Sequence, residues 1–319
     1  MRELSVVIPN WNGMAYLKAC LDSLENQSFQ NFEILMVDNG SKDGSTAFVR
    51  KHYPQVRILE LDQNYGFCRA VNLGIRSARA PYIVLLNNDV EADRECLAEL
   101  LRGMKKKPSC FSCAAKMIRM DDRERMDDGG DYYCALGWAF ALGKDGPVDA
   151  CDEEREIFAS CAGAAIYRRE VFEEIGMFDE KHFAYLEDID IGYRSKIYGY
   201  RNWYLPGAKV YHAGSGSSGS RYNEFKVRLS SRNNVYLIYK NMPFLQILLN
   251  SPFLIAGFLA KALFFARQGY ARIYLKGLVK GVRMAIQGRK VAFRREHLKN
   301  YAKIQWELWV NMFRRMGWR

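Results

Sequence analysis

The chain has 319 residues, 49% of them hydrophobic and 26% charged, which excludes a disordered or collagen-like protein and leaves room for a sizeable core. Lys and Arg outnumber Asp and Glu by 47 to 36, yet the excess is local. From Lys261 onward fifteen basic residues face two acidic ones, Glu296 and Glu307, so a near-neutral body carries a basic tail.

In chain order, Leu4–Ile8, Glu33–Val37, Val56–Leu61 and Tyr82–Leu86 are short apolar runs that predict largely buried strands. Between them Met14, Leu17, Leu21 and Leu24, and then Phe67, Val71 and Ile75, recur at helical spacing. Strands alternating with helices at this rhythm predict an open, mostly parallel α/β sheet. Ligands of such sheets bind beyond the carboxyl ends of the strands, so the polar residues there carry the interest. A helix is expected over Asp93–Met104. Residues 121–156 are polar, acidic and rich in glycine, and read as an insertion or a mobile loop. A strand in Ala159–Tyr167, helices from Arg169 to Ile175 and from about Asp188, and a strand at Ala208–Tyr211 complete the body. The run Gly214–Ser220 reads as a linker or a loop closing over a substrate.

Phe244–Ala266 is apolar but interrupted by Gln246, Asn250, Ser251, Pro252 and Lys261, which disfavours a full membrane span. From Tyr270 on, Leu, Ile, Val, Trp and Phe alternate with a basic residue every few positions. That pattern suits amphipathic helices lying on an anionic membrane, where each Lys or Arg contributes on the order of 1 kcal/mol. A helical subdomain with a solvated basic face is the alternative. No recognition module precedes the tail, so no nucleic-acid partner is expected. Met1–Ile8 is too short for a secretory signal, and eight cysteines without one point to a reduced, cytoplasmic setting. Cys110 and Cys113 have CxxC spacing but no second pair, and read as small core residues.

Three clusters could carry chemistry. Asp38 ends a strand before the turn Asn39–Ser45; its carboxylate could bind a nucleotide base or ribose, or only cap the next helix. Asn87, Asn88 and Asp89 follow a buried strand and could hold a hard divalent cation beside a diphosphate, or cap a helix. Glu187, Asp188 and Asp190 crowd three carboxylates into four residues, which can raise the pKa of one to that of a working base. A dipole-favoured acidic helix start explains the same residues. His212 reads as a metal ligand or a satisfied core histidine.

These pieces occur in a telling order: Val6–Gly13, Val37–Ser45, Asn64–Phe67 with Ala70, Asn72 and Gly74, Leu85–Asp89, Gly163–Ala165, Phe178–Glu180, Tyr185–Asp190 with Arg194, and Tyr211–His212 with Gly214–Ser217. Over about residues 3–240 the sequence resembles glycosyltransferase family 2, inverting enzymes of the GT-A fold, and within it the rhamnosyltransferase-like branch. The resemblance implies a Rossmann-like, mostly parallel central sheet flanked by helices in residues 1–240. A basic, membrane-associated helical extension would occupy 241–319. It implies Pro9, Asn10 and Asp38 in the nucleotide pocket, with Asn64, Arg69, Asn72 and Asn88 near the rest of the donor. Asn87–Asp89 stands where the family has an Asp-x-Asp metal motif, with Asn in place of the first Asp. Asp89 is then the main anionic ligand of Mg²⁺ or Mn²⁺, and His212 completes the site. Asp188 matches the catalytic base and Glu187 its neighbour. The expected activity is transfer of a sugar, rhamnose from dTDP-rhamnose by branch, to a surface-glycan or lipid-linked saccharide at the inner membrane face. Galactose or glucose, or a silent nucleotide-binding scaffold, are the alternatives. No Gln-x-x-Arg-Trp motif is present, so a processive synthase is not expected.

Overall fold

The computed structural model describes residues 2–214 and 222–317. The Gly/Ser run read as a linker or closing loop lies almost entirely outside the described residues. The first half alternates as anticipated: β1 (Leu4–Asn10), α1 (Met14–Glu25), β2 (Phe32–Asn39), α2 (Ser45–His52), β3 (Arg57–Leu61), α3 (Phe67–Ser77) and β4 (Tyr82–Leu86). The order β3-β2-β1-β4 is parallel throughout, with Asn10 opposite Asp38 in register. Parallel strands covered on both faces favour near-continuous apolar runs; β4 is wholly apolar, and β1 is apolar apart from buried Ser5 and Asn10. β3 differs from the expected buried strand. It is the outermost strand, so Arg57 and Glu60 face solvent.

The sheet then widens. β5 (Val90–Ala92), α4 (Cys96–Lys105) and β6 (Cys110–Arg119) follow, and the segment expected as a loop instead builds β7 (Met126–Asp128), β8 (Asp131–Cys134), β9 (Trp138–Ala141) and β10 (Arg155–Ile157). Its Tyr132, Tyr133, Leu142 and Cys151 are buried in a core shared with later elements, which the acidic composition conceals. β11 (Ala164–Arg168) inserts antiparallel between β4 and β6; after α5 (Val171–Ile175) and α6 (Glu187–Ile197), β12 (Arg201–His212) runs parallel to β6 and antiparallel to β5. This topology brings His212 opposite Val90, next to Asp89.

Four helices close the chain: α7 (Glu224–Asn241), α8 (Phe244–Arg267), α9 (Ala271–Ile286) and α10 (Leu298–Gly317). They pack on the preceding α/β body: Leu254, Tyr301, Ile304 and Leu308 share a core with Tyr133, Phe158 and Tyr193. α9 approaches α7 closely through Gly277 and Gly281, where an added Cβ would meet Ser231 Oγ at 1.8 Å and Arg232 O at 2.5 Å. α8 buries Gln246, Asn250, Leu254 and Gly257 and presents Leu245, Leu248, Ile255, Leu259 and Leu263 to the outside. The thiols of Cys110 and Cys113 lie 3.4 Å apart, both buried, as small core residues.

Candidate active site

Three groups of polar side chains line the carboxyl ends of the strands. In the first, Asn10 Nδ2 donates to Asp38 Oδ1 (3.0 Å) and Ser45 Oγ (2.9 Å), while Asn88 Nδ2 donates to Asn10 Oδ1 (2.7 Å). The second Asp38 oxygen accepts from Ser41 N at 3.0 Å. Asp38 therefore does not cap α2, whose start is tied by Asp43 accepting from Ser45 N. Gly13 makes this arrangement possible, since a Cβ there would lie 1.9 Å from Asn88 Nδ2 and 2.4 Å from Asn10 Oδ1. Pro9 sits half-buried just inside, opposite Val37.

Asn64, Arg69 and Asn72 stand on the far side of Asp38. Asn64 Oδ1 accepts from Asn39 Nδ2 (3.0 Å) and Gly66 N (2.9 Å), fixing the entry to α3. Arg69 is exposed, its guanidinium 4.1 Å from the centre of the Tyr65 ring. Asn72 is buried and engaged on both sides of its amide by the Phe178 backbone, at 2.8 and 3.1 Å. The structure thus gives Asn72 a bracing contact rather than an open face.

The second group joins Asp89 to His212. Asp89 caps no helix; α4 begins seven residues later. Its Oδ1 is buried without a hydrogen-bond donor, 3.4 Å from His212 Nε2. The other imidazole nitrogen, Nδ1, lies 2.6 Å from Asp127 Oδ2, and Asp127 is also paired with Lys144. Burial alone would lower the His212 pKa, but the hydrogen bond to Asp127 and the charges of Asp89 and Asp127 outweigh it and raise it to about 9. Asp127 is likewise buried, yet His212 and Lys144 hold it down to about 2. Asn87 is placed by its backbone, its N–H donating to Gly163 O at 2.9 Å.

The third group is acidic. Asp188 opens α6 and accepts from Ala162 N at 3.1 Å. Burial, then the charges of Glu187, Asp131 and Asp128, push its pKa well above the carboxylate range. Burial raises Glu187 to about 7 and Asp128 to about 6, and raises Asp131 as well. Asp190 belongs elsewhere. Fully buried, it takes hydrogen bonds from Lys240 and Asn241 (2.8 Å each) and Arg194 (2.9 Å), which keep it ionised and lock α7 to α6.

The approach to Asp188 is strained. Phe183, Tyr185 and Leu186 have φ of 65°, 71° and 65°, and such backbone costs on the order of 1–3 kcal/mol per residue. α7 offsets it: Asn233 Nδ2 donates to the carbonyls of Ala184 and Tyr185, both at 2.8 Å, and Arg232 Nη2 donates to His182 O at 2.8 Å. Beside His212 and Asp127 opens a cleft of about 660 Å³ whose far wall includes Lys226 and Val227 of α7 and Phe265 of α8.

Asp127, Asp128 and Asp131 were not singled out from the sequence. They lie between the histidine and the acidic group, and the crowding of three Asp around Gly129-Gly130 is the signal that could have found them.

A carboxylate oxygen with no donor and an imidazole nitrogen beside it suit Mg²⁺ or Mn²⁺. Among the described residues no three His, Cys, Asp or Glu side chains converge on one point, so diphosphate oxygens and waters would fill the remaining positions.

Residues 5–176 match the family model described as glycosyl transferase family 2. The chain belongs to glycosyltransferase family 2. It is 27% identical over 242 residues to an N-acetylglucosaminyl-diphospho-decaprenol L-rhamnosyltransferase of Mycobacterium tuberculosis, covering 68% of this chain and 78% of that one. Among solved structures it resembles GalNAc-T7 with UDP, GalNAc and Mn²⁺ (TM-score 0.60, 17% identity), covering 75% of this chain and 48%, about half, of that one. It also resembles the mannosyltransferase PcManGT of Pyrobaculum calidifontis in complex with GDP-Man and Mn²⁺ (TM-score 0.55, 17% identity; 97% and 85% covered). The GT-A fold expected from the sequence is the fold observed, and the family-2 chain is a glycosyltransferase.

The charge that raises Asp188 yields a test. Glu187→Gln removes the nearest negative neighbour, so the acid limb of the kcat/KM–pH profile for sugar transfer moves to lower pH. A limb that stays in place contradicts Asp188 and Glu187 as interacting groups of the active site.

Proposed function

We propose that the protein is an inverting transferase that moves a sugar, L-rhamnose from dTDP-rhamnose, onto a hydroxyl of a lipid-linked saccharide. The observation that carries this reading is the buried, donor-free oxygen of Asp89 facing His212, with the acid-raised Asp188 on the same strand-end surface. The sugar and the acceptor class rest on the mycobacterial relative, whose name specifies rhamnosyl transfer to a decaprenol-linked substrate.

In this reading Pro9, Asn10 and Asp38 bind the nucleoside, and Asn88 carries their network to the diphosphate. Asn64 shapes that wall, and Arg69 lies within reach of the donor phosphates. A divalent cation held by Asp89 and His212, with Asn87 beside them, would supply the positive charge that stabilises the departing diphosphate. Asp188 takes the proton of the acceptor hydroxyl as its oxygen bonds to the anomeric carbon and the bond to the diphosphate breaks. Attack opposite the leaving group inverts the configuration. A base with a raised pKa accepts that proton near neutral pH, and Glu187 sets the pKa through its charge. The acceptor enters by the cleft between His212 and Phe265, which leads toward α8.

α8 favours a membrane surface. It is 24 residues long and contains an 18-residue stretch of mean hydropathy 1.8, enough by length and composition to cross a bilayer. Its inner face, however, is committed to the protein: Tyr193 donates to Gln246, and Asn250 exchanges hydrogen bonds with Gln305 (2.8 Å each). A helix buried on one side and apolar on the other suits the interface, flanked by the basic residues of α9 and α10. The cytoplasmic face of the membrane, rich in anionic lipid, is the proposed location.

Asp188→Asn is expected to lower transfer from dTDP-rhamnose by about 10²–10⁴-fold with donor binding retained. Parent-level transfer by this variant would remove Asp188 as the base, and a clear preference of the parent for a uridine-linked sugar would end the rhamnosyl assignment. For the membrane, the parent is expected to sediment with anionic vesicles and the double variant Leu248→Asp, Leu259→Asp to stay largely in the supernatant. Equal sedimentation of the two would contradict the role given to α8.

A further inference from the structure

Asp127 takes no part in the chemistry described above, yet it is held as firmly as any group in the site. It lies in β7, where Met117 pairs with Asp128 and the next residue, Ile118, pairs with Met126. Asp127 is therefore the extra residue of a β-bulge, a device that re-aims a side chain out of the regular alternation. The bulge is clamped from both sides of the chain: Met126 N donates to Gly146 O (2.9 Å) and Asp145 N to Met126 O (3.0 Å).

The re-aimed carboxylate meets two partners. Lys144 donates to Oδ1, and the His212 ring nitrogen Nδ1 lies 2.6 Å from Oδ2. A carboxylate that already accepts from Lys144 is placed to accept from the ring as well, with Nδ1–H as the donor. That fixes the plane of the ring: Nδ1 is turned to Asp127, and Nε2 faces Asp89, 3.4 Å away. Asp127 itself is 7% exposed and does not reach Asp89 in the described contacts.

We propose that Asp127 is a positioning residue for the metal site, a carboxylate behind His212 that orients the imidazole so that Nε2 is presented to the cation shared with Asp89. This rests on the metal-dependent reading given above. Carboxylates that hold a ligating histidine by its other nitrogen typically strengthen metal binding by about 10–100-fold. Lys144 belongs to the same device, since by taking Oδ1 it leaves Oδ2 turned toward the ring. The two protein donors are held differently: Asp89 sits in the turn into β5, its carbonyl accepting from Ala213 N at 3.0 Å, whereas His212, the last residue of β12, has its ring held by a second side chain.

Mn²⁺ binding to the full-length protein in the presence of dTDP, followed by the electron paramagnetic resonance signal of free Mn²⁺, tests this directly. Asp127→Ala is expected to weaken Mn²⁺ about 10–100-fold. In steady-state transfer the same variant is expected to raise the Mn²⁺ concentration for half-maximal rate, with kcat at saturating Mn²⁺ close to that of the parent. His212→Ala is expected to weaken Mn²⁺ at least as much, and adding Asp127→Ala to it is expected to cause little further loss, because the carboxylate acts through the ring. Asp127→Asn, nearly the same size and still offering an oxygen to Nδ1–H, is expected to fall between parent and Ala, and it repeats the cycle should the alanine variant not fold. Unchanged Mn²⁺ affinity in Asp127→Ala, or the same loss whether or not His212 is present, would overturn the proposal while leaving the metal-dependent reading intact. A parent protein that binds no Mn²⁺ with dTDP would overturn both.

Discussion

The site exists because β12 crosses the sheet to lie antiparallel to β5 and parallel to β6. That register sets His212 opposite Val90 and brings its ring to Asp89, although 123 residues of chain separate the two. Neither side chain is satisfied alone: Asp89 has a buried oxygen with no donor, and His212 is buried among carboxylates. The remaining polar groups are arranged around this contact. On one side Asn88, Asn10 and Asp38 form a continuous hydrogen-bonded line to the end of β2. On the other, Asp127 continues into Asp128 and the acidic group around Asp188.

The acidic group is tolerated because the protein separates carboxylates by task. Asp190 is fully paired with Arg194, Lys240 and Asn241 and stays ionised as a strut between α6 and α7. Two residues earlier, Asp188 has a single backbone donor and three acidic neighbours, and its ionised form is held at a disadvantage. Residues of similar chemistry in one helical turn thus acquire opposite behaviour from their surroundings. α7 serves both, anchoring Asp190 through Lys240 and holding the strained residues 183–186 through Asn233. The C-terminal helices are therefore tied to the active site as well as to the exposed apolar face of α8.

Much of this was legible in the sequence, for a physical reason. Parallel strands buried on both faces must be unbroken apolar runs, so β1 and β4 announce themselves, and the polar residues that end such strands are exposed to ligand by topology. Asn10 came from the family resemblance, whereas Asp38, Asn87 and Asp89 follow from that logic. Asp127, Asp128 and Asp131 do not, because β7 and β8 are only three and four residues long and a bulge breaks their alternation. An acidic, glycine-rich stretch looks like solvent-exposed loop until tertiary packing buries it. Asn72, set near the donor by the resemblance alone, has its amide engaged by the backbone of Phe178, a long-range contact that no local pattern announces. β3 was read as buried because its apolar residues were visible and its place at the sheet edge was not.

The most direct test of the account is a crystal structure with dTDP and Mn²⁺, with the metal located by its anomalous scattering. The account predicts a single strong peak within bonding distance of both the Asp89 carboxylate and His212 Nε2, with diphosphate oxygens on its open side and the nucleoside over Asp38. A peak elsewhere, or a diphosphate bound with His212 turned away from Asp89, would contradict it.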